Sequence, residues 1–224
     1  MISGPRLSGG FWVWESATLA ARALFVGRGP HLGRTETLAA VDRGGPPVAW
    51  ARQVHGAEVA TVEAPGECGV ADALVARRPG LAVAVATADC VPVLIGGPQE
   101  VAVVHAGWRG IASGVVGETV RRMDAEPGAL EAWIGPAIGA CCYEVGEDVA
   151  AAVVAASGPE AVAPGSRGRP HLDLSAAVRR QLETAGIGGV HLVVACTACD
   201  ERLWSYRRDG AAVGRNLAFV WRAA

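Results

Sequence analysis

The sequence contains no lysine: all 20 of its basic residues are arginine. Against 22 carboxylates this leaves a formal net charge of −2. That balance argues against a surface built to grip a phosphate backbone, because such affinity depends on clustered positive charge. With many alanines and 30 glycines, arginine's monopoly looks like a bias towards GC-rich codons. Arginine is nonetheless always ionised and forks well onto carboxylate or phosphate, which matters for Arg109 and for the pair Arg207, Arg208. No stretch reaches the roughly 18 uninterrupted apolar residues of a membrane helix. The N-terminus lacks a basic segment followed by an apolar one, so no export signal is visible. The six cysteines are therefore expected to be reduced thiols in the cytoplasm rather than disulfides. Three glycine-rich stretches, 107–110, 135–139 and 208–215, lack the spacing of a dinucleotide fingerprint or a P-loop, and each alone reads as a turn. No linker divides the 224 residues, and apolar runs recur from end to end. One domain over 1–224 is the expectation.

What is present is a set of short apolar runs around three chemically distinctive residues. Residues 81–88, 91–95 and 101–104 are β-branched, uncharged and of strand length, so all three read as buried strands. The breaker-rich segment 96–100 between the last two predicts an antiparallel hairpin. If Ile95 faces Val101, then Val93 faces Val103 and Val91 faces His105. Cys90 then sits one step beyond the residue opposite His105, within reach of a shared ion, since cross-strand neighbours lie roughly 5 Å apart at Cβ. A strand over 48–54 carries His55 to a loop before Gly56. Two imidazoles and a thiolate suit a transition metal such as zinc, and three protein ligands leave a fourth position for water or substrate. Nothing local ties His55 to the other two, so the residues alone leave its role open.

Cys196-Thr197-Ala198-Cys199 has the spacing of a redox or zinc half-site. A structural zinc would need two more ligands, which Cys141 and Cys142 could supply in principle; plain packing or lining of the site is the preferred reading.

Elsewhere the pattern predicts a short helix over 34–42 and a helix over 111–123, whose start beside the metal site would aim backbone N–H groups at an anion. A strand passes into a loop over 133–139. Helices follow over roughly 144–156 and 174–185, the second capped by Asp173 and ended by Gly186. Further strands are expected over 190–195, delivering Cys196, and over 217–221. Residues 16–25 fit helix and strand equally. Interspersed strands and helices, with some strands paired as hairpins, predict an α+β layered fold of mixed sheets covered by helices.

Taken together, Arg52-Gln53-Val54-His55-Gly56, Thr87-Ala88-Asp89-Cys90-Val91-Pro92, the 104–110 stretch, the 134–146 stretch and Trp204–Gly210 with Gly214-Arg215 resemble the YfiH or laccase-domain family. Its members are also called polyphenol oxidases or purine nucleoside phosphorylases. The resemblance runs from about residue 48 to the C-terminus, in the family's motif order. It implies that His55, Cys90 and His105 are the metal ligands. The departure lies at the N-terminus, where 8–17 replace the family's usual opening segment.

The resemblance further implies phosphorolysis of adenosine, inosine and methylthioadenosine, with deamination of adenosine, by a zinc enzyme; copper is also possible. On that reading the partners are a small purine nucleoside and phosphate, with neither nucleic acid nor membrane, and the protein is a monomer or homodimer. Asp89 is the candidate proton carrier for water attacking the purine C6, or else a strand-end cap or partner of a ligand histidine. Arg109 and the helix start after Gly110 are candidates for holding phosphate. Arg208, Asp209 and Arg215 would complete the substrate pocket. Only five histidines exist (31, 55, 105, 171, 191), with no His-x-His pair, so multicopper laccase chemistry is not expected. Two other classes remain: a metal-free cysteine hydrolase using Cys90 and His105, and a non-enzymatic module with a structural zinc.

Overall fold

The computed structural model describes residues 2–18, 21–165 and 168–224. Along the chain come β1 (Ser3–Ser8), β2 (Phe11–Ala17), β3 (Arg22–Val26), α1 (Arg34–Val41) and β4 (Val48–Arg52). Next are β5 (Val59–Val62), β6 (Gly66–Val70), β7 (Ala73–Ala76), β8 (Ala82–Thr87), β9 (Val91–Gly96) and β10 (Val101–Ala106). Two short helices, α2 (Trp108–Ala112) and α3 (Val115–Arg122), lead to β11 (Glu131–Ile134) and α4 (Glu147–Ser157). The chain ends with β12 (Val162–Pro164), β13 (Pro170–Leu172), α5 (Leu174–Thr184), β14 (Gly189–Leu192), α6 (Tyr206–Asp209) and β15 (Asn216–Trp221).

A seven-stranded sheet has the order β1-β2-β3-β15-β8-β4-β6, and a six-stranded sheet the order β14-β11-β9-β10-β7-β5. Both mix parallel and antiparallel pairs: β4 runs parallel to β6 and β8, and β11 parallel to β14. The architecture is α+β, as expected. The period-two alternation of each strand builds its layers. Ala218 and Val220 of β15 meet Leu94, Val101, Val103 and Trp133 between the sheets. Phe219 and Trp221 face outwards onto Leu38 and Val41 of α1. Val91, Val93 and Ile95 of β9 face the opposite way, onto Val116 of α3 and Val178 of α5. The three apolar runs at 81–104 are thus buried but divided: β8 belongs to one sheet, and the β9–β10 hairpin to the other.

The structure corrects the hairpin register by one residue. Val101 pairs with Gly96, Val104 with Val93, and His105 with Pro92 rather than Val91. The turn is tighter than the 96–100 segment suggests, because Gly97 N–H donates to the Glu100 carbonyl at 2.9 Å. Glu100 is buried and its carboxylate accepts the Asp124 and Ala125 N–H groups, which pins the turn. Gly96 therefore stays in the strand, beneath the Trp133 ring. A one-residue slip exchanges the faces of a strand, and in the observed register Cys90, two residues before Pro92, lies on the same side as His105.

Other expectations shift for local reasons. The helix expected over 111–123 begins earlier, at Trp108, and breaks at Gly114, whose φ of 78° is left-handed. Asp173 caps α5 through Ala176 N–H, and Gly186 follows its end, as expected. The segment without an assignment, 16–25, supplies parts of β2 and β3 of an antiparallel meander. No helix among the described residues is long and apolar enough to cross a membrane.

At Gly96 an added Cβ would lie 2.7 Å from Ala21 Cβ and 3.0 Å from the Trp133 ring. Gly96→Ala is expected to lower stability by about 1–3 kcal/mol through overpacking. Urea denaturation checks this: the midpoint should fall with little change in slope, and metal content should not change.

Candidate metal centre

His55, Cys90 and His105 each come from a different structural setting. His55 lies three residues beyond β4, Cys90 ends the connection that carries the chain from β8 to β9, and His105 is the penultimate residue of β10. One ligand atom from each lies within 4.8 Å of the others. The two imidazoles meet edge to face, with centroids 4.7 Å apart. Exposure rises in steps, from His105 at 3% through half-buried Cys90 to exposed His55. The cluster is thus rooted in the core and open on one side.

The residue that organises the three is Asp72, which the sequence reading missed. It is fully buried. Its carboxylate accepts from His105 Nδ1 at 2.8 Å, from His55 N at 2.9 Å and from Gly56 N at 2.6 Å, with Val54 N at 3.2 Å. With Nδ1 turned to Asp72, His105 presents Nε2 to the cluster, the outer-sphere carboxylate arrangement that fixes a histidine's tautomer and ring orientation. The same carboxylate holds His55 at a φ of 62°, a left-handed conformation costly for a non-glycine residue. A single Asp within Val70-Ala71-Asp72-Ala73 carries no motif, so only its burial in three dimensions reveals its part.

Burial alone would raise the Asp72 carboxyl, but His105 and the N–H groups of Gly56 and Val54 outweigh it and hold it below its ordinary value. Burial likewise opposes charge on His105, yet the bonds to Asp72 and Cys90 lift it to about 9. Burial would raise the Cys90 thiol, but hydrogen bonds and charge from His105 and His55 bring it down to about 7. Without an ion these contacts favour a Cys90 thiolate beside a protonated His105; binding a metal needs the thiolate and neutral imidazoles, so it would release the proton that His105 holds.

Close approach explains the glycines of the 107–110 stretch, which alone reads as a turn. A Cβ on Gly107 would lie 3.0 Å from the His55 ring and 3.1 Å from Cys90 Sγ. One on Gly110 would lie 2.9 Å from the Gly56 carbonyl oxygen. Cradle and donor set both fit a tetrahedral transition ion held by His55, Cys90 and His105, with one corner left over.

The remaining candidates scatter around this centre. Asp89, at a φ of 91°, accepts from the Thr197 hydroxyl at 2.6 Å and from Arg207 N–H at 2.7 Å, so its carboxylate braces the loop before α6. Arg109 is exposed rather than buried; its guanidinium lies over the Trp108 ring, and no carboxylate among the described residues pairs with it. Arg208 is consumed by structure: it donates to the carbonyls of Thr197, Asp200 and Leu203 and forks onto Asp209. Asp209 also bonds Arg28 at 2.6 Å. Arg215 lines a separate cavity of about 260 Å³ together with Phe11, His31, Arg34 and Trp204, and none of the three candidate ligands lines it.

Two other residues face the centre. Tyr143 is half-buried, and burial and the charges of Cys90 and Asp89 raise its hydroxyl against the lowering influence of Arg207 and Arg109. Arg207 stacks over the Tyr143 ring at 5.1 Å and donates to the Cys142 and Glu144 carbonyls. Of the two neighbouring arginines, it is the one whose guanidinium reaches the loop that carries Tyr143.

The model of a family described as multi-copper polyphenol oxidoreductase laccase matches residues 33–223. A Streptomyces coelicolor protein named purine nucleoside phosphorylase is 44% identical over 182 residues, covering 78% of this chain and 74% of that one. The Escherichia coli purine nucleoside phosphorylase YfiH is 38% identical, over 77% of this chain and 72% of its own. A crystal structure of a Neisseria meningitidis protein superposes with a TM-score of 0.79 at 33% identity, covering 96% of this chain and all of that one. YlmD from Geobacillus stearothermophilus does so at 0.77 and 30% identity, over 92% of this chain and 93% of its own.

An amide at position 72 can no longer accept from all of its partners. Asp72→Asn is expected to weaken metal affinity by about 10–100-fold and to lower stability by about 1–3 kcal/mol. Competition with a chromophoric chelator reads the first effect, and an unchanged affinity would remove Asp72 from its organising role.

Proposed function

This chain belongs to the multi-copper polyphenol oxidoreductase laccase family, also called the YfiH family, and we propose that it is a purine nucleoside phosphorylase with adenosine deaminase activity. The observation that carries the proposal is the open three-donor cluster of His55, Cys90 and His105, considered with the activity named for relatives about two-fifths identical. Adenosine, inosine and methylthioadenosine are the substrates of this reading, and zinc is the resident ion. The protein works in the cytoplasm as a monomer or homodimer on small molecules.

His55, Cys90 and His105 would hold the ion, which when bound supplies Lewis acidity and lowers the pKa of water at the vacant corner. The chain's own residues do the rest. Arg109 would receive phosphate: a guanidinium without a carboxylate partner forks well onto that anion. A phosphate oxygen then attacks ribose C1′, the C1′–N9 bond breaks, and the base leaves with the bonding pair and takes up a proton. In deamination water adds at the purine C6, the C6–N bond breaks, and ammonia departs. Asp89 would carry the proton between water and leaving nitrogen, positioned by Thr197 and Arg207. Tyr143 and Arg207 form the wall nearest Asp89 and Cys90. Because Arg208 and Asp209 are spent on their own loop, they would shape this wall rather than touch substrate, while Arg215 would serve only an extension of the pocket.

One observation favours a second reading. A thiol brought down to about 7 beside an imidazole is also the arrangement of a cysteine nucleophile with its base. Chelation separates the two: a metal-free hydrolase would survive it and would react with a thiol-alkylating probe at Cys90.

Chromatography of adenosine incubated with the purified protein tests the proposal. Adenine should appear only with phosphate, inosine with or without it, and chelator should abolish both. Absence of either product with the metal-loaded protein would overturn the reading. Asp89→Asn should suppress inosine while sparing adenine; loss of both with metal retained would reduce Asp89 to its bracing role.

A further inference from the structure

Four of the six cysteines converge at a second place, formed by two loops nearly 60 residues apart in the chain. Cys141 and Cys142 follow β11, and Cys196 and Cys199 follow β14. The four Sγ atoms all lie within 4.8 Å of one another. Cys199 Sγ is 3.3 Å from Cys142 Sγ and 3.7 Å from Cys141 Sγ. Four sulfurs at about 2.3 Å from a central tetrahedral zinc would stand about 3.8 Å apart. The separations, from 3.3 Å to at most 4.8 Å, bracket that figure and are well beyond the roughly 2.05 Å of a disulfide. All four are free thiols.

The backbone around them has the form a thiolate site needs. Residues 196–199 make a tight turn, with Cys199 N–H and Asp200 N–H donating to the Cys196 carbonyl at 3.1 and 2.9 Å. Cys196 Sγ itself accepts Gly139 N–H at 3.2 Å. The facing loop is fixed by Thr197 N–H donating to the Ala137 carbonyl at 3.0 Å and by Cys142 N–H donating to the Gly139 carbonyl at 2.9 Å. Cys141 and Cys199 are exposed, which gives an ion an entry path, and Arg207 beside Cys142 offsets the charge that four thiolates around a dication leave.

We propose that Cys141, Cys142, Cys196 and Cys199 form a second, closed tetrathiolate site that takes zinc in a structural role. With four protein ligands it has no vacant corner, so it is not a second catalytic centre. Its position gives it a purpose. One loop carries Tyr143, and the other carries Thr197, which holds Asp89, before running into Arg207. Cross-linking the loops fixes the wall of the His55–Cys90–His105 centre from outside. The inference does not depend on the identity of the substrate.

Metal analysis of protein purified under reducing conditions without chelator should find two zinc ions per chain. The double variant Cys142→Ser, Cys199→Ser should hold one fewer, while His55→Ala, His105→Ala should lose the other and keep this one. Cobalt supplied to the histidine variant should give the intense sulfur-to-metal charge-transfer and tetrahedral d–d bands of a tetrathiolate. For the unmodified protein, whose folding is not in question, thiol titration should find Cys68 reactive at once and these four thiols reactive only after a strong chelator is added. Equal zinc in the wild type and the serine variant would overturn the proposal. So would an intact mass lighter by two hydrogens, with peptide mapping that places the disulfide between Cys142 and Cys199.

Discussion

The centre of this protein depends on one buried carboxylate. An ionised group with no access to water is tolerated only when its lone pairs are satisfied, and Asp72 meets that condition through His105 Nδ1 and the backbone of residues 54–56. Each of these bonds also specifies the site. The bond to His105 selects which ring nitrogen faces the cluster, and the bonds to His55 and Gly56 hold the chain in a turn that a histidine would otherwise avoid. The cost of the left-handed His55 is thus offset by the same interaction that solvates the carboxylate. Gly107 and Gly110 follow from this geometry, because any side chain there would strike His55, Cys90 or the turn at Gly56.

The layered fold provides the place where this can happen. Residues 88–90 carry the chain from one sheet to the other, so Asp89 and Cys90 stand at the mouth between the sheets, next to the open end of β10. Asp89 adopts a left-handed φ at this corner and is held there by Thr197 and Arg207, residues more than 100 positions later in the chain. Strands deep in the core thus supply the rigid member of the cluster, His105, and loops supply the exposed one, His55. That gradient suits a centre that must hold an ion firmly and still admit a substrate.

Much of this was legible in the sequence where a local signal existed. The apolar runs gave the three central strands and their hairpin, and a capping aspartate with a following glycine bounded α5. Register was legible only to within one residue, since Gly96 looks like a turn residue until Trp133 is seen lying against it. Helix periodicity through 111–123 hid the break at Gly114, because Ile111 of α2 and Val115, Val116 and Val120 of α3 press onto the same layer. The resemblance supplied His55, which no local pattern could join to Cys90 and His105. Asp72 and Tyr143 escaped because their parts come from neighbours distant in sequence. The resemblance implied Arg208 and Asp209 as pocket residues, but carbonyl oxygens of their own loop claim the guanidinium. The paired cysteines at 141–142 and 196–199 could each be seen; their meeting is a tertiary fact.

The histidines bear on the copper chemistry in the family's description. A multi-copper centre needs imidazoles gathered around more than one ion. Here all five histidine positions can be accounted for. His55 and His105 belong to the three-donor cluster. His31 lies tilted against Trp204 with centroids 5.8 Å apart, His191 stacks on Trp133 at 5.9 Å, and His171 is turned to the Ala140 carbonyl with Glu144 nearby. The other group of potential ligands among the described residues is made of thiols alone. Thiolates reduce copper(II) readily, so a tetrathiolate suits a redox-inert dication better than a catalytic copper pair. The described residues thus offer one open set of mixed nitrogen and sulfur donors and one closed set of sulfur donors, and neither gathers the imidazoles that a multi-copper centre needs.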